Sequence, residues 1–170
     1  MVVADFDNCG GINNLGWQMG AAYQPPHNQL TENYIIKPDR GCVAKLTYQI
    51  RDWGAFWMKL PTPDLSAFRE QNGVLTFDIR ANEPIPDGVQ IELKRLCLPN
   101  EGCGEMSVYY MTGITSEWQT RRVPLEGFGS IGWAPSLSTW DGIEELVFTF
   151  AFPNAGNNGS IYLDNVTFER

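Results

Sequence analysis

Apolar residues recur at every second position along most of this chain. The clearest case lies near its end, where Leu146, Phe148, Phe150 and Phe152 alternate with less apolar neighbours. That is the period of a strand with one buried face. Residues 153–159 are turn formers, and Ile161, Leu163, Val166 and Phe168 follow as a second strand. Residues 145–169 therefore read as a β-hairpin that closes the domain. The same alternation marks residues 2–6, 15–23, 31–36, 43–51, 55–60, 74–81, 89–96, 106–112 and 118–123 as strands, with one helical turn at 64–68 capped by Asp64. Short strands spaced by Gly, Pro and Asn turns predict an all-β, antiparallel β-sandwich or barrel. The first and last strands are expected to be neighbours. No repeat, linker or low-complexity segment interrupts the pattern, so 1–170 reads as one domain.

Composition narrows the class. The 170 residues suffice for a sizeable core, and no apolar run approaches the ~18 residues of a membrane span. A net charge of −8 argues against nucleic acid and anionic membranes as partners. No leader is visible after Met1; a secreted protein would have had it removed. Four cysteines allow three pairings. Cys97 and Cys103 flank a short turn-rich loop that a disulfide would staple, leaving Cys9 and Cys42 to each other. The alternative is four reduced thiols in a cytosolic protein. With no C-x-x-C and His27 as the one histidine, zinc is disfavoured.

Several segments, in their order, resemble a known family: Asp5-Phe6-Asp7 at the start, Asp64-Leu65-Ser66 before LTFDIRA, Trp118-Gln119-Thr120 with Val123-Pro124-Leu125 and Phe128, and the ending IEELVFTF…GSIYLDNVTF. Together they resemble the jelly-roll carbohydrate-binding modules with a galactose-binding-domain-like fold, family 11 modules of bacterial glucanases above all. A weaker resemblance runs to a family named for mitochondrial complex I assembly, which shares the sandwich and would bind protein rather than sugar. The first resemblance implies a non-catalytic module, part of a larger secreted protein, that binds a polysaccharide or oligosaccharide such as β-glucan in a groove on one sheet beside structural calcium. The stretch 97–103 departs from the family pattern and would affect ligand preference if it lay over the groove.

The residues offer chemistry of their own. A glycosidase needs two carboxyls about 5 to 9.5 Å apart, and Asp78, Glu92 and Glu105 are candidates, but 20 acidic residues make some such pair expected by chance. No nucleophile motif, phosphate loop or dinucleotide fingerprint is present. For binding, the outward positions of the middle strands stand out. If Leu75, Phe77 and Ile79 are core, then Asp78 and Arg80 point outward, and on the next strand so do Gln90, Glu92 and Lys94. Such groups donate to and accept from sugar hydroxyls, while Trp57, Tyr109 and Tyr162 supply rings for the C–H faces. The plainer reading makes the charged ones solvated cross-strand pairs. Tyr109 and Tyr110 must face opposite ways. Trp53, Trp118 and Trp140 are expected in packing, and Trp133, in a polar loop, is expected to be exposed. Asp7 and Asp164, at the ends of strands expected to be neighbours, are candidate ligands for calcium with carbonyls from the 37–41 turn. The plainer alternative has Asp7 capping its turn and Asp164 accepting backbone N–H groups in a bulge.

Overall fold

Two antiparallel sheets stack face to face in this computed structural model, which describes residues 1–95 and 104–170. The expected Cys97–Cys103 bond and the stretch around it lie outside the described residues. The first sheet runs in the order β3 (Gln29–Lys37), β4 (Gly41–Gln49), β11 (Asn158–Glu169), β6 (Val74–Asn82) and β9 (Gln119–Pro124), with β1 (Val2–Ala4) also on β11. The second runs β2 (Met19–Tyr23), β5 (Trp53–Lys59), β10 (Glu145–Ala151), β7 (Gly88–Arg95) and β8 (Glu105–Thr112). A short helix, α1 (Ser66–Glu70), follows the Pro-rich turn after β5. Asp64 accepts the Ser66 N–H just before it, close to the expected cap. The second strand is shorter than its pattern suggests, because residues 13–17 form a turn around Asn13, whose Oδ1 accepts from Leu15 N and Trp17 N.

The termini meet as expected. Val2 lies opposite Thr167 and Ala4 opposite Val166. Cys9 and Cys42 are disulfide-bonded, tying the turn after β1 to β4.

The closing hairpin does not form. β10 and β11 each lie in mid-sheet, β10 between β5 and β7 and β11 between β4 and β6. The apolar faces that suggested a hairpin instead turn into the core from opposite sheets. Phe148 of β10 meets Phe77 of the first sheet edge to face, with centroids 5.1 Å apart, and Phe150 stacks on Tyr48 at 4.5 Å. A hairpin would have put both apolar stripes on one surface of one sheet; the arch places each stripe against the opposite sheet. The arch is held inside by the Tyr48 hydroxyl, which donates to Ala155 O at 2.8 Å.

One glycine makes that arrangement possible. Gly159, opposite Tyr48 in the ladder, lies so close that an added Cβ would stand 2.7 Å from the Tyr48 Cζ. Tyr48 is fully buried and cannot swing aside. Gly159→Ala is therefore expected to destabilise by about 2 kcal/mol, a fall in Tm of roughly 4–8 °C. Thermal melts check this; an unchanged Tm would mean that Tyr48 has room to move.

Candidate functional site

The sandwich leaves two outer faces, and the second sheet's face holds a cleft. On β7, Val89, Ile91 and Leu93 point into the core, so Gln90, Glu92 and Lys94 point out. They bond along the strand: Gln90 Nε2 donates to Glu92 Oε1 at 2.6 Å, and Lys94 Nζ reaches Glu92 Oε2 at 2.7 Å. The Glu92 side chain is only 5% exposed, and a buried carboxylate needs both of these partners. The row makes a fixed polar floor whose Gln90 and Lys94 keep further hydrogen-bonding groups.

Aromatic side chains from four separate segments surround that floor. Tyr110 stands opposite Gln90 on β8, and Trp53 begins β5. Phe152 comes from the arch, and Trp133 from the loop after the 3-10 turn Leu125–Gly127. All are exposed, Trp133 by 73% and Tyr110 by 55%. The Trp133 loop is docked on β8: Val108 and Gly129 exchange two 2.9 Å backbone bonds, and Met106 N donates to Pro135 O. These groups enclose a cleft of about 450 Å³ that also includes Thr149, Ile131 and Asn154.

The expected site residues divide between the two faces. Trp57 shares the outer face of Gln90 and Glu92, since across β10 Val147 stands opposite both Trp57 and Glu92, but it does not line the cleft. The Trp57 indole lies flat against β2, where a Cβ on Gly20 would come within 2.9 Å of it. Tyr109 is turned the other way, packed on Phe128 at 5.9 Å and against Gly127; Tyr110 is the tyrosine of the cleft. Asp78, Arg80 and Tyr162 lie on the outer face of the first sheet, a full sandwich away from Gln90 and Glu92. The grouping failed because β6 and β7 are consecutive but not adjacent: the link through Pro84 and Pro86 carries the chain from one sheet to the other. Those two prolines were the available signal of a crossover. Trp53, assigned to packing, is 39% exposed and lines the cleft. Trp118 and Trp140 do pack, and Trp133 is exposed as expected.

On the first sheet, Asp78 and Asp164 are direct register partners, and two facing carboxylates need a cation. Arg40 supplies it. Its Nη1 lies 2.7 Å from Asp78 Oδ2 and 3.4 Å from Asp164 Oδ2, with the guanidinium over the Trp118 ring at 4.2 Å. The ladder bulges after Asp164, where Asn165 takes a positive φ of 52°. Asp164 Oδ1 accepts the Asn165 N–H, and the Asn165 side-chain amide donates to Asp78. Burial pushes the Asp164 carboxyl above its usual range. Burial pushes Asp78 the same way, but hydrogen bonds from Thr120, Asn165 and Arg40 outweigh it and hold that carboxyl below its usual range.

For a calcium ion the fit is partial. The Asp7 carboxylate rests on the turn between β3 and β4, where a Cβ on Gly41 would meet its Oδ1 at 2.6 Å, so a hard oxygen and turn backbone are side by side. Asp164, however, is committed to Arg40 and the Asn165 N–H. Among the described residues no group of three or more His, Cys, Asp or Glu side chains is placed to hold a metal. The Asp7 turn itself is organised by its neighbours: Asp5 Oδ1 accepts Asp7 N and Asn8 Oδ1 accepts Gly10 N.

An all-β sandwich of two antiparallel sheets is a fold found among carbohydrate-binding modules. Residues 19–170 match the family model described as carbohydrate binding domain 30, and the chain belongs to that family. Among solved structures, the family 11 module of the cellulosomal cellulase Lic26A-Cel5E of Clostridium thermocellum is similar at 19% identity, over 98% of this chain and 91% of that one, with a TM-score of 0.71. A family 11 module from Clostridium thermocellum, in complex with a β-1,3-1,4-mixed-linked tetrasaccharide, is 19% identical over 97% and 92% of the two chains, with a TM-score of 0.70. The family 30 module of the cellulosomal cellulase Cel9D-Cel44B of the same organism is 17% identical over 89% and 90%, with a TM-score of 0.65. No curated protein sequence matches. The sequence resemblance to family 11 thus holds for the fold, while the family itself is 30.

The Arg40 cluster generates a pH-dependent expectation. Arg40→Ala leaves Asp78 and Asp164 facing each other without a cation, which should destabilise by about 3 kcal/mol near neutral pH, or roughly 6–12 °C in Tm. The lowered Asp78 contributes stability above its unfolded pKa and loses it as the pH falls through the folded value. The raised Asp164 does the reverse, losing stability as the pH rises through its folded value. Without Arg40 the repulsion exists only while both are ionised, so the defect should shrink as the pH falls towards about 4. Melts of both proteins across that range check this; a defect that does not change with pH would contradict it.

Proposed function

We propose that this carbohydrate-binding module takes a β-glucan chain in the cleft on the second sheet and holds it without cleaving it. The observation that carries the reading is the cleft itself: exposed rings from four segments around a hydrogen-bonded Gln90–Glu92–Lys94 floor. Flat rings cover the C–H faces of a pyranose, and the amide and ammonium groups meet its hydroxyls. The tetrasaccharide bound by the similar family 11 module supports a β-1,3-1,4-glucan as the first polymer to test. The Cys9–Cys42 bond supports an oxidising, extracellular setting and, with it, a place in a larger secreted protein.

Affinity gels containing β-glucan, xylan or mannan test the polymer and the cleft together. Retardation by mixed-linkage glucan is expected. Tyr110→Ala and Trp133→Ala should each weaken binding by about tenfold at unchanged Tm. Tyr109→Ala should lower Tm and leave the affinity of the folded fraction intact. Retention on no polysaccharide would overturn the reading in favour of a protein-interaction domain, and release of shortened glucan would show catalysis.

Structural calcium at Asp7 and Asp164 is a separate proposal. The seat of Asp7 on the Gly41 turn supports it, and the ion would have to draw Asp164 away from Arg40. An ion at a free concentration a hundredfold above its Kd adds about 2.7 kcal/mol. EDTA should then lower the Tm by several degrees, calcium should restore it, and Asp7→Ala should abolish the response. A melting curve of metal-stripped protein that calcium does not move would leave Arg40 as the only cation at Asp164.

A further inference from the structure

The outer face of the first sheet carries a surface that the cleft does not use. Arg80, Tyr162 and Lys45 stand in one register row across β6, β11 and β4. The ring of Tyr162 is nearly buried, and three cations approach it: Lys37 Nζ at 4.9 Å from the centroid, the Arg80 guanidinium at 5.0 Å and Lys45 Nζ at 6.0 Å. In a chain with 20 acidic and 12 basic residues, this is a local reversal of sign. The two facing carboxylates of this sheet, Asp78 and Asp164, are held by Arg40. Among the described residues, none of Lys37, Lys45 and Arg80 forms an ion pair with a carboxylate.

The neighbouring row is polar and neutral. Asn82, Ser160, Thr47 and Thr31 line up across β6, β11, β4 and β3 and form part of a depression of about 520 Å³. Glu83 at its rim is the one carboxylate lining it. The two rows are bonded to each other: Arg80 Nη2 donates to Asn82 Oδ1 at 2.9 Å, and Asn82 Nδ2 donates to the Tyr162 hydroxyl at 3.1 Å. The depression thus offers hydroxyls and amides, with cations along one side. The one ring lining it, Tyr48, is buried and already bonded to Ala155, so no flat platform is open to a neutral sugar.

We propose that this face is a second glycan site, selective for an acidic sugar. A uronate unit would place its carboxylate between Lys37 and Lys45 and its ring hydroxyls over Thr31, Thr47 and Ser160. The cations account for the charge of the ligand, and the hydroxyl and amide lining accounts for its being a sugar. The two faces would let one module bridge a neutral glucan and an acidic polysaccharide. The site stands independently of the cleft.

Affinity gels with polygalacturonate and with neutral mixed-linkage glucan test this, with calorimetry on short oligogalacturonides. Polygalacturonate should retard the protein. Lys37→Gln with Lys45→Gln should weaken that binding by about tenfold, the loss of two charge pairs, with glucan binding unchanged. Lys37→Arg with Lys45→Arg should retain it, which separates charge from any packing role of the stems. About 1 M salt, with a screening length near 3 Å, should abolish uronate binding alone. The double variant Tyr110→Ala, Trp133→Ala should lose glucan and keep polygalacturonate. No retardation by polygalacturonate, or its loss in the cleft variant and not in the lysine variant, would overturn the proposal.

Discussion

The contact on which the rest depends is the one between β10 and the first sheet across the core. β10 is the central strand of its sheet, and its inward rings meet the two strands that flank β11 in the other: Phe148 on Phe77 of β6, Phe150 on Tyr48 of β4. Mutual burial of these faces supplies the main drive for stacking the sheets. Both sheets then turn one side outward, and neither outer face is needed for the core. The arch between β10 and β11 makes the arrangement possible, with Tyr48 bonded into it and Gly159 leaving space for the ring. It also delivers Phe152 to the rim of the cleft, so the closure of the core and the wall of the site come from one segment.

The two outer faces solve the same problem, charge on a half-buried sheet, in different ways. On the second sheet Glu92 takes a proton donor on each oxygen from its own strand, and its neighbours keep groups to spare. That suits a ligand rich in hydroxyls, since exchange of water for sugar needs no rearrangement of the floor. On the first sheet two carboxylates share one guanidinium, and the cluster closes on itself through Thr120 and Asn165. That arrangement pins the bulge in β11 and leaves the cations around Tyr162 as the open chemistry of this face.

Much of the fold was legible in the residues because a period of two reports which side of a strand is buried. The strands and the outward set of Gln90, Glu92 and Lys94 follow from it, while the pairing of the two ends rests on the carboxylates that both carry. The period does not report which sheet a strand joins. That is why Asp78 and Arg80 were grouped with Gln90 and Glu92, and why two central strands read as a hairpin. In 106–112 both parities hold apolar residues: Met106, Val108 and Tyr110 on one, Tyr109 and Met111 on the other. Only the register with β7 decides between the tyrosines. The partner of Asp164 was hidden for another reason. Arg40 is 124 residues away, in a turn whose sequence advertises nothing, and only the folded ladder brings it over the bulge.

The central claim is that the glucan-binding surface is the outer face of the second sheet. Backbone amide shifts followed by NMR during titration with a mixed-linkage gluco-oligosaccharide test it most directly. The account predicts perturbations concentrated on β7, β8 and β10 and on the loop carrying Trp133, with β4, β6 and β11 silent outside their ends. Perturbations centred on β4, β6 and β11 would contradict it and place the glucan on the opposite face of the sandwich.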